Sequence, residues 1–188
     1  TTGLNFFNVA EPSALTATTT QTNVSCFGGS NGSATATVTP TTGTAPYTYQ
    51  WFLNAGATIP LVPVQTSAIA TGLSAGTYAC KITDANGCTL ITSLVTITQP
   101  SALTATIAQT NVSCIGGNNG SATVNPSGGI APYTYQWSNG DTTQTADTLS
   151  AAGTYSCLVT DLNGCPILLQ VVITQPSPLT ATTSQTNV

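Results

Sequence analysis

An eight-residue segment occurs three times in this chain: Glu11-Pro12-Ser13-Ala14-Leu15-Thr16-Ala17-Thr18, Gln99-Pro100-Ser101-Ala102-Leu103-Thr104-Ala105-Thr106 and Gln175-Pro176-Ser177-Pro178-Leu179-Thr180-Ala181-Thr182. The chain is a tandem repeat. Its period is 88 residues from Pro12 to Pro100 and 76 from Pro100 to Pro176, too long for one turn of a solenoid and right for a small autonomous domain. The expected organisation is the end of a preceding repeat at 1–11, full repeats at 12–99 and 100–175, and the start of a following repeat at 176–188. Leu4 to Ala10 stands where a closing strand belongs, and the third copy stops at Val188 where the others continue Ser25-Cys26 and Ser113-Cys114. The 188 residues therefore read as a window on a longer chain, expected to end in mid-strand. No signal peptide or transmembrane run is visible, which in an internal window carries no weight.

Within a repeat, polarity alternates with period two. In Ser33-Ala34-Thr35-Ala36-Thr37-Val38-Thr39 the apolar residues alternate with threonines, the signature of a half-buried strand. Tyr47, Tyr49 and Trp51 share one face of a second strand, as do Tyr133, Tyr135 and Trp137 in the next copy. Tyr78, Cys80 and Ile82 share a face of a strand starting at Gly76. The turn Asp84-Ala85-Asn86-Gly87 then leads to a closing strand through Ile91, Val95 and Ile97. The Asn-Gly pair is a hairpin signal because such turns need positive φ. Leu15–Val24 reads as the first strand and Ala68–Leu73 as a short one, and no stretch has sustained helical periodicity. Six or seven strands per unit predict an all-β fold of tandem Ig-like or PKD-like β-sandwiches. Tyr78 and Tyr155, each two residues before a core position, suit the tyrosine corner of such folds. The short Pro-containing linkers at Thr98–Ser101 and Thr174–Ser177 predict semi-rigid joints, and hence a rod.

Only 3% of residues are charged (Glu11, Lys81, Asp84, Asp141, Asp147 and Asp161), against 40% hydrophobic. The remaining surface must be neutral hydrogen-bonding residues, above all threonine, which is favourable in strands. Disordered chains of this length carry more charge and fewer β-branched residues. A net charge of -4 with a single lysine removes the electrostatic basis for binding nucleic acid or an anionic membrane.

The string Asn111-Val112-Ser113-Cys114-Ile115-Gly116-Gly117-Asn118-Asn119-Gly120-Ser121-Ala122-Thr123 is followed by Ala131-Pro132-Tyr133-Thr134-Tyr135-Gln136-Trp137-Ser138-Asn139-Gly140. Leu149 to Tyr155, Val159-Thr160-Asp161-Leu162-Asn163-Gly164-Cys165 and Ile173 to Pro176 come next, in order. This pattern closely resembles the SprB-type repeat, and the resemblance covers nearly the whole chain. It implies an extracellular, cell-surface location in very long adhesins of gliding bacteria, exported by the type IX pathway, whose filaments contact the substratum. The chain departs from the family at Cys80 and Cys157, where an aliphatic residue is more usual, and in its longer first copy.

Each repeat has three cysteines: Cys26, Cys80 and Cys88, then Cys114, Cys157 and Cys165. With no histidine and no close Cys-x-x-Cys pair, zinc and redox readings are weak, and structural disulfides are expected in an exported protein. An odd number per repeat leaves either free thiols or bridges between units. In an Ig-like sandwich Cys26 would lie at the pole where the chain leaves and Cys88 at the pole where it enters, beyond the roughly 7 Å Cα separation a disulfide tolerates. Three pairings remain open: Cys26 with Cys165 of the following unit, Cys26 with Cys80, or Cys26 with Cys88 should the strand order differ.

Other features carry a functional reading beside a plainer one. Tyr47, Tyr49 and Trp51 would make a sugar-stacking platform if exposed, but at period two they read as core. Asp84 and Asp161 lack a second carboxylate for calcium and read as turn residues. Thr-x-Thr runs such as Thr16-Ala17-Thr18 and Thr35-Ala36-Thr37 resemble ice-binding faces, against which stands the ordinary role of solvent-facing strand threonines. Asn23, Asn31, Asn111 and Asn119 begin Asn-x-Ser sequons. Asp141-Thr142-Thr143 and Asp147-Thr148-Leu149 resemble the O-glycosylation signal of gliding-bacterium relatives, making Thr142 and Thr148 candidate acceptors.

Nine additional residues separate Trp51 from Gly76 compared with Trp137 and Gly153. The extra stretch, Ile59-Pro60-Leu61-Val62-Pro63-Val64, holds Ile59, Leu61, Val62 and Val64 around two prolines, which argue against a central strand. It is expected to fold back over its own sandwich or to mark a contact with another copy. No histidine, no arginine and one lysine leave no nucleophile-base or acid-base pair, so an enzyme, a cofactor and a metal are not expected. The reading is a structural and adhesive segment of a long extracellular filament, with neighbouring repeats and other copies as partners. The alternative is a glycan- or ice-binding module.

Overall fold

The computed structural model describes residues 13–54, 56–151 and 153–185. Among them there is no helix, and the chain divides into two compact units, Thr1–Gln99 and Pro100–Val188. The expected closing strand at Leu4–Ala10 lies outside the described residues.

The first unit contains β1 (Ala17–Thr22), β2 (Gly32–Val38), β3 (Thr48–Leu53), β4 (Ile59–Pro60), β5 (Ile69–Leu73), β6 (Gly76–Thr83), β7 (Thr89–Ile91) and β8 (Val95–Ile97). One sheet runs β1-β2-β5; the other runs β4-β3-β6-β7, with β8 also paired to β6. The second unit contains β9 (Thr104–Thr110), β10 (Gly120–Ser127), β11 (Thr134–Trp137), β12 (Thr145–Leu149), β13 (Gly153–Thr160) and β14 (Pro166–Ile173). Its sheets run β12-β10-β9 and β11-β13-β14. Every pairing is antiparallel. Each unit is an Ig-like sandwich, in which the β1-β2-β5 sheet faces the sheet of β3, β6 and β7 in the first unit and the β12-β10-β9 sheet faces the β11-β13-β14 sheet in the second.

Alternation sets the core. Ala34 and Ala36 of β2 point inward, and opposite them lie Trp51, Cys80, Ile82 and Ile97, all essentially inaccessible. Ala122 and Val124 meet Trp137, Cys157, Val159 and Ile173 in the second unit. Small residues on one sheet leave the depth that an indole on the other fills, so truncating either tryptophan to alanine costs about 3–5 kcal/mol. The Trp51 indole N–H donates to the Ser67 carbonyl at 3.0 Å, and that of Trp137 to Thr143 at the same distance. The tyrosine corners are present: the Tyr78 hydroxyl donates to the Ser74 carbonyl at 2.9 Å, and the Tyr155 hydroxyl accepts from the Ser150 N–H at 2.9 Å.

One strand departs from the sequence reading. The expected closing strand of the first unit splits into β7 and β8, because the Thr92 hydroxyl takes the Cys80 N–H at 3.0 Å in place of a ladder carbonyl. The interruption leaves Ile91 exposed while Val95 and Ile97 are buried.

The two ends of a unit are distinct. At the leading pole, where the chain enters, lie the start of β1, the 39–47 loop and the turn after β6, joined by the Asp84 carboxylate accepting the Thr44 N–H at 3.0 Å. At the trailing pole lie the 23–31 loop and the end of β8, joined by the Val24 N–H donating to the Thr98 carbonyl at 3.0 Å. Strand β6 runs from the trailing pole at Gly76 to the leading pole at Thr83, a rise of about 23 Å at strand geometry.

Candidate functional site

The trailing-pole loop is built by side chains that stand in for ladder partners. The Asn31 side-chain carbonyl accepts the Ser25 N–H at 3.0 Å, and its amide donates to the Ser25 hydroxyl. The Gln99 side-chain oxygen accepts the Gly28 N–H at 2.8 Å, and the Asn23 side-chain oxygen accepts the Thr98 N–H at 3.0 Å. The second unit repeats the set with Asn119 to Ser113 at 3.1 Å, Gln175 to Gly116 at 3.0 Å and Asn111 to Thr174 at 2.9 Å. The sequon asparagines are thus braces of the loop that carries Cys26 or Cys114. The sequence reading missed this use of Asn and Gln, although their recurrence at equal spacing before Ser-Cys and Pro was its signal.

The leading-pole turn is built around one carboxylate. Asp84 accepts from the backbone N–H groups of Thr44 at 3.0 Å, Asn86 at 3.0 Å and Cys88 at 2.8 Å. Asp161 does the same with Ile130, Asn163 and Cys165, each at 2.9 Å. Burial pushes both carboxyl groups up, but the backbone donors, with Cys88 first for Asp84 and Cys165 first for Asp161, outweigh it and hold them below the ordinary 3.8. Gly87 and Gly164 complete the turns at φ 82° and 81°. These carboxylates are occupied as turn organisers. Among the described residues no cluster of three potential metal ligands occurs.

The cysteines fall into three environments. Cys26 and Cys165 are disulfide-bonded. Cys80 and Cys157 are free thiols inside the cores, paired in register with Trp51 and Trp137, and burial pushes Cys80 up to about 11 and raises Cys157. Cys88 and Cys114 are free and exposed. Of the six disulfide candidates, four are therefore thiols, and the pairings of Cys26 with Cys80 or Cys88 fall. The first fails because the Cys80 thiol is sealed in the core, the second because Cys26 and Cys88 occupy opposite poles.

A third feature is a face without charge. On the outer side of the first sheet, Thr18, Thr20 and Thr22 of β1 stand opposite Thr37, Thr35 and Ser33 of β2, and Ser33 stands opposite Thr71 of β5. The second unit sets Thr104, Thr106 and Thr110 opposite Ser127, Asn125 and Ser121, with Thr123 and Thr145 hydrogen-bonded at 2.9 Å. The aromatics do not join this face: Trp51 is fully buried and Tyr47 and Tyr49 pack against the core. No sugar-stacking platform is present there.

The long loop of the first unit does two things. Leu61 packs on the core and its N–H donates to the Trp51 carbonyl at 3.2 Å. Ile59, Val62 and Val64 point to solvent, with Val62 95% exposed. A groove of about 430 Å³ lies between Leu61, Pro63 and Gln65 on the loop and Leu73, Ser74 and Tyr78. In the second unit a tight turn replaces the loop, with the Trp137 N–H on the Asp141 carbonyl at 2.9 Å. Thr142 and Thr148 are exposed; Thr148 has φ 55° and its hydroxyl donates to the Asp147 carbonyl at 2.7 Å.

Among solved structures, the chain is similar to three N-terminal domains of the bacteriophage RB49 highly immunogenic outer capsid protein (Hoc), at TM-score 0.51 and 16% identity, over 86% of this chain and 59% of that one. It is also similar to a C-terminal fragment of intimin, in complex with the intimin-binding domain of its translocated receptor, at TM-score 0.41 and 14% identity over 86% and 64%. A Dscam isoform structure gives 0.34 and 15% over 87% and 43%. At these identities the likeness is one of fold, and the chain spans about three-fifths of the Hoc fragment and under half of the Dscam chain. No curated protein matches it. No helix among the described residues is long and apolar enough to cross a membrane, which leaves β-barrels unaddressed. The SprB repeat family model matches residues 18–56 and 106–142, the first three strands and the cysteine loop of each unit.

Proposed function

We propose that this chain is a structural and adhesive segment of a long extracellular cell-surface filament, serving surface adhesion or gliding motility, with neighbouring repeats as its partners. The observation that carries the reading is the occurrence of SprB repeat matches on sandwiches whose turn carboxylates and loop amides are engaged internally, with one sheet of each unit presenting an outer face of neutral, hydroxyl-rich side chains. Such a face hydrogen-bonds to hydrated surfaces with no charge to be screened, so its adhesion should be nearly independent of salt. Beads coated with the chain should adhere to glass and to polysaccharide films more strongly than beads coated with an unrelated Ig-like protein, equally at low and high ionic strength. Equal adhesion by the two coatings refutes the reading. The alternative, glycan or ice binding through the threonine ladder, is favoured by the register of Thr18, Thr20 and Thr22 on Thr37, Thr35 and Ser33. Ice-growth and glycan-array measurements on Thr20→Lys and Thr35→Lys separate it. We further propose O-glycans on Thr142 and Thr148, and an intact mass equal to that of the bare chain from the native source removes them.

A further inference from the structure

The two exposed thiols are counterparts of the two bonded cysteines. Cys114 holds in the second unit the place Cys26 holds in the first: the trailing-pole loop, braced by Asn119 and Gln175 as its counterpart is by Asn31 and Gln99. Cys88 holds in the first unit the place Cys165 holds in the second, on the leading-pole turn, with its N–H on the Asp84 carboxylate. Cys26 and Cys165 are disulfide-bonded, whereas Cys114 and Cys88 are free and exposed. We propose that the trailing-pole loop and the leading-pole turn are the two disulfide-forming positions of each repeat, and that through Cys114 and Cys88 this chain takes on a second copy, the Cys114 of one bonding the Cys88 of the next.

Three observations converge on this. Loop and turn are each held by at least three hydrogen bonds that fix the backbone around the cysteine, so little ordering remains to be done on joining. No pairing within a unit competes, since the poles lie about 23 Å apart along β6 and the core thiol between them is sealed. The same two positions already carry disulfide chemistry elsewhere in the chain. A joint with unlike halves is heterologous, so it propagates and makes linear multimers.

The chemistry needs an oxidant, and a small-molecule disulfide such as oxidised glutathione supplies it. The Cys114 thiolate attacks one glutathione sulfur and expels a glutathione thiolate. The Cys88 thiolate of a second copy then attacks the Cys114 sulfur of the mixed disulfide and expels the other. Two protein thiols are oxidised, one glutathione disulfide is reduced to two thiols, and the protons pass from the former to the latter.

The test is incubation of the folded chain with oxidised glutathione, followed by non-reducing electrophoresis and peptide mass mapping. The expected result is a ladder of covalent multimers, cleared by reductant, in which the Cys88–Cys114 peptide predominates. Cys88→Ser or Cys114→Ser alone should abolish the ladder, and mixing the two variants should restore a dimer and stop there. Alkylating the exposed thiols of the unaltered chain before oxidation should act like the double variant, independent of any effect of substitution on folding. Glutathione adducts without cross-links overturn the proposal, as do Cys88–Cys88 and Cys114–Cys114 peptides as abundant as the mixed pair.

Discussion

Thiol reactivity tests the placement of all six cysteines at once. Folded chain is treated at pH 8 with an excess of a small alkylating agent, and labelling is followed peptide by peptide by mass spectrometry. Cys88 and Cys114, exposed at the poles, should label first. Cys80 lies on β6 opposite Trp51 with no accessible surface, and burial pushes it from the ordinary 9.0 up to about 11. That shift alone lowers its thiolate population at pH 8 about a hundredfold, since each unit is a factor of ten. The agent must also reach the sulfur, which in a close-packed core requires the sandwich to open. A domain stable by only about 5 kcal/mol opens roughly once in several thousand, so protection by that route is on the order of 10³ to 10⁴. The two factors do not multiply, because an opened unit restores the ordinary pKa. Cys80 should therefore label at least about a hundredfold more slowly than Cys88, and Cys157 should follow it. In denaturant the four thiols should label alike, with Cys26 and Cys165 silent until reduced. Labelling of Cys80 within about tenfold of Cys88 under native conditions would refute the placement of its strand in the core.

The acid limb of stability should belong to the two turn carboxylates. Asp84 and Asp161 are held below 3.8 when folded, so their contribution is complete above the unfolded value and is lost as pH falls through 3.8 toward the lowered folded values. The melting temperature should be flat near neutrality and fall below about pH 4, and Asp84→Asn with Asp161→Asn should remove that fall while lowering stability at pH 7; an unchanged acid limb in the double variant contradicts the assignment. Gly120→Ala should destabilise by about 1–3 kcal/mol, because its Cβ would stand 2.8 Å from the Ile173 side chain and 2.9 Å from the Leu149 carbonyl oxygen. Gly87→Ala meets nothing within 4 Å and should cost about 1–2 kcal/mol through its positive φ alone, so restoring stability with Asn at position 87 but not at position 120 checks both by denaturant titration.

Much of the fold was legible because it is written locally. Alternation in Ser33 to Thr39 marked β2, Asn-Gly marked the hairpin between β6 and β7, and the Gly-Thr-Tyr segments marked the corners, each a consequence of φ/ψ preference and period two. The failures were non-local. Thr92 splitting the closing strand depends on a bond to Cys80, twelve residues away. The sequons at Asn31 and Asn119 looked like acceptors for a modification, and are occupied by the backbone of Ser25 and Ser113.

The sequence by itself determined that this is a repeating, nearly uncharged, all-β chain, because composition and periodicity state what can be buried and at what spacing. Only the tertiary structure decided what its reactive groups are for. Cys26, Cys80 and Cys88 are chemically identical along the chain. Folding sends one to each pole and one into the core, since strands distant in sequence must pair before burial and exposure are defined, and that sorting separates a bonded cysteine from an inert thiol and an available one.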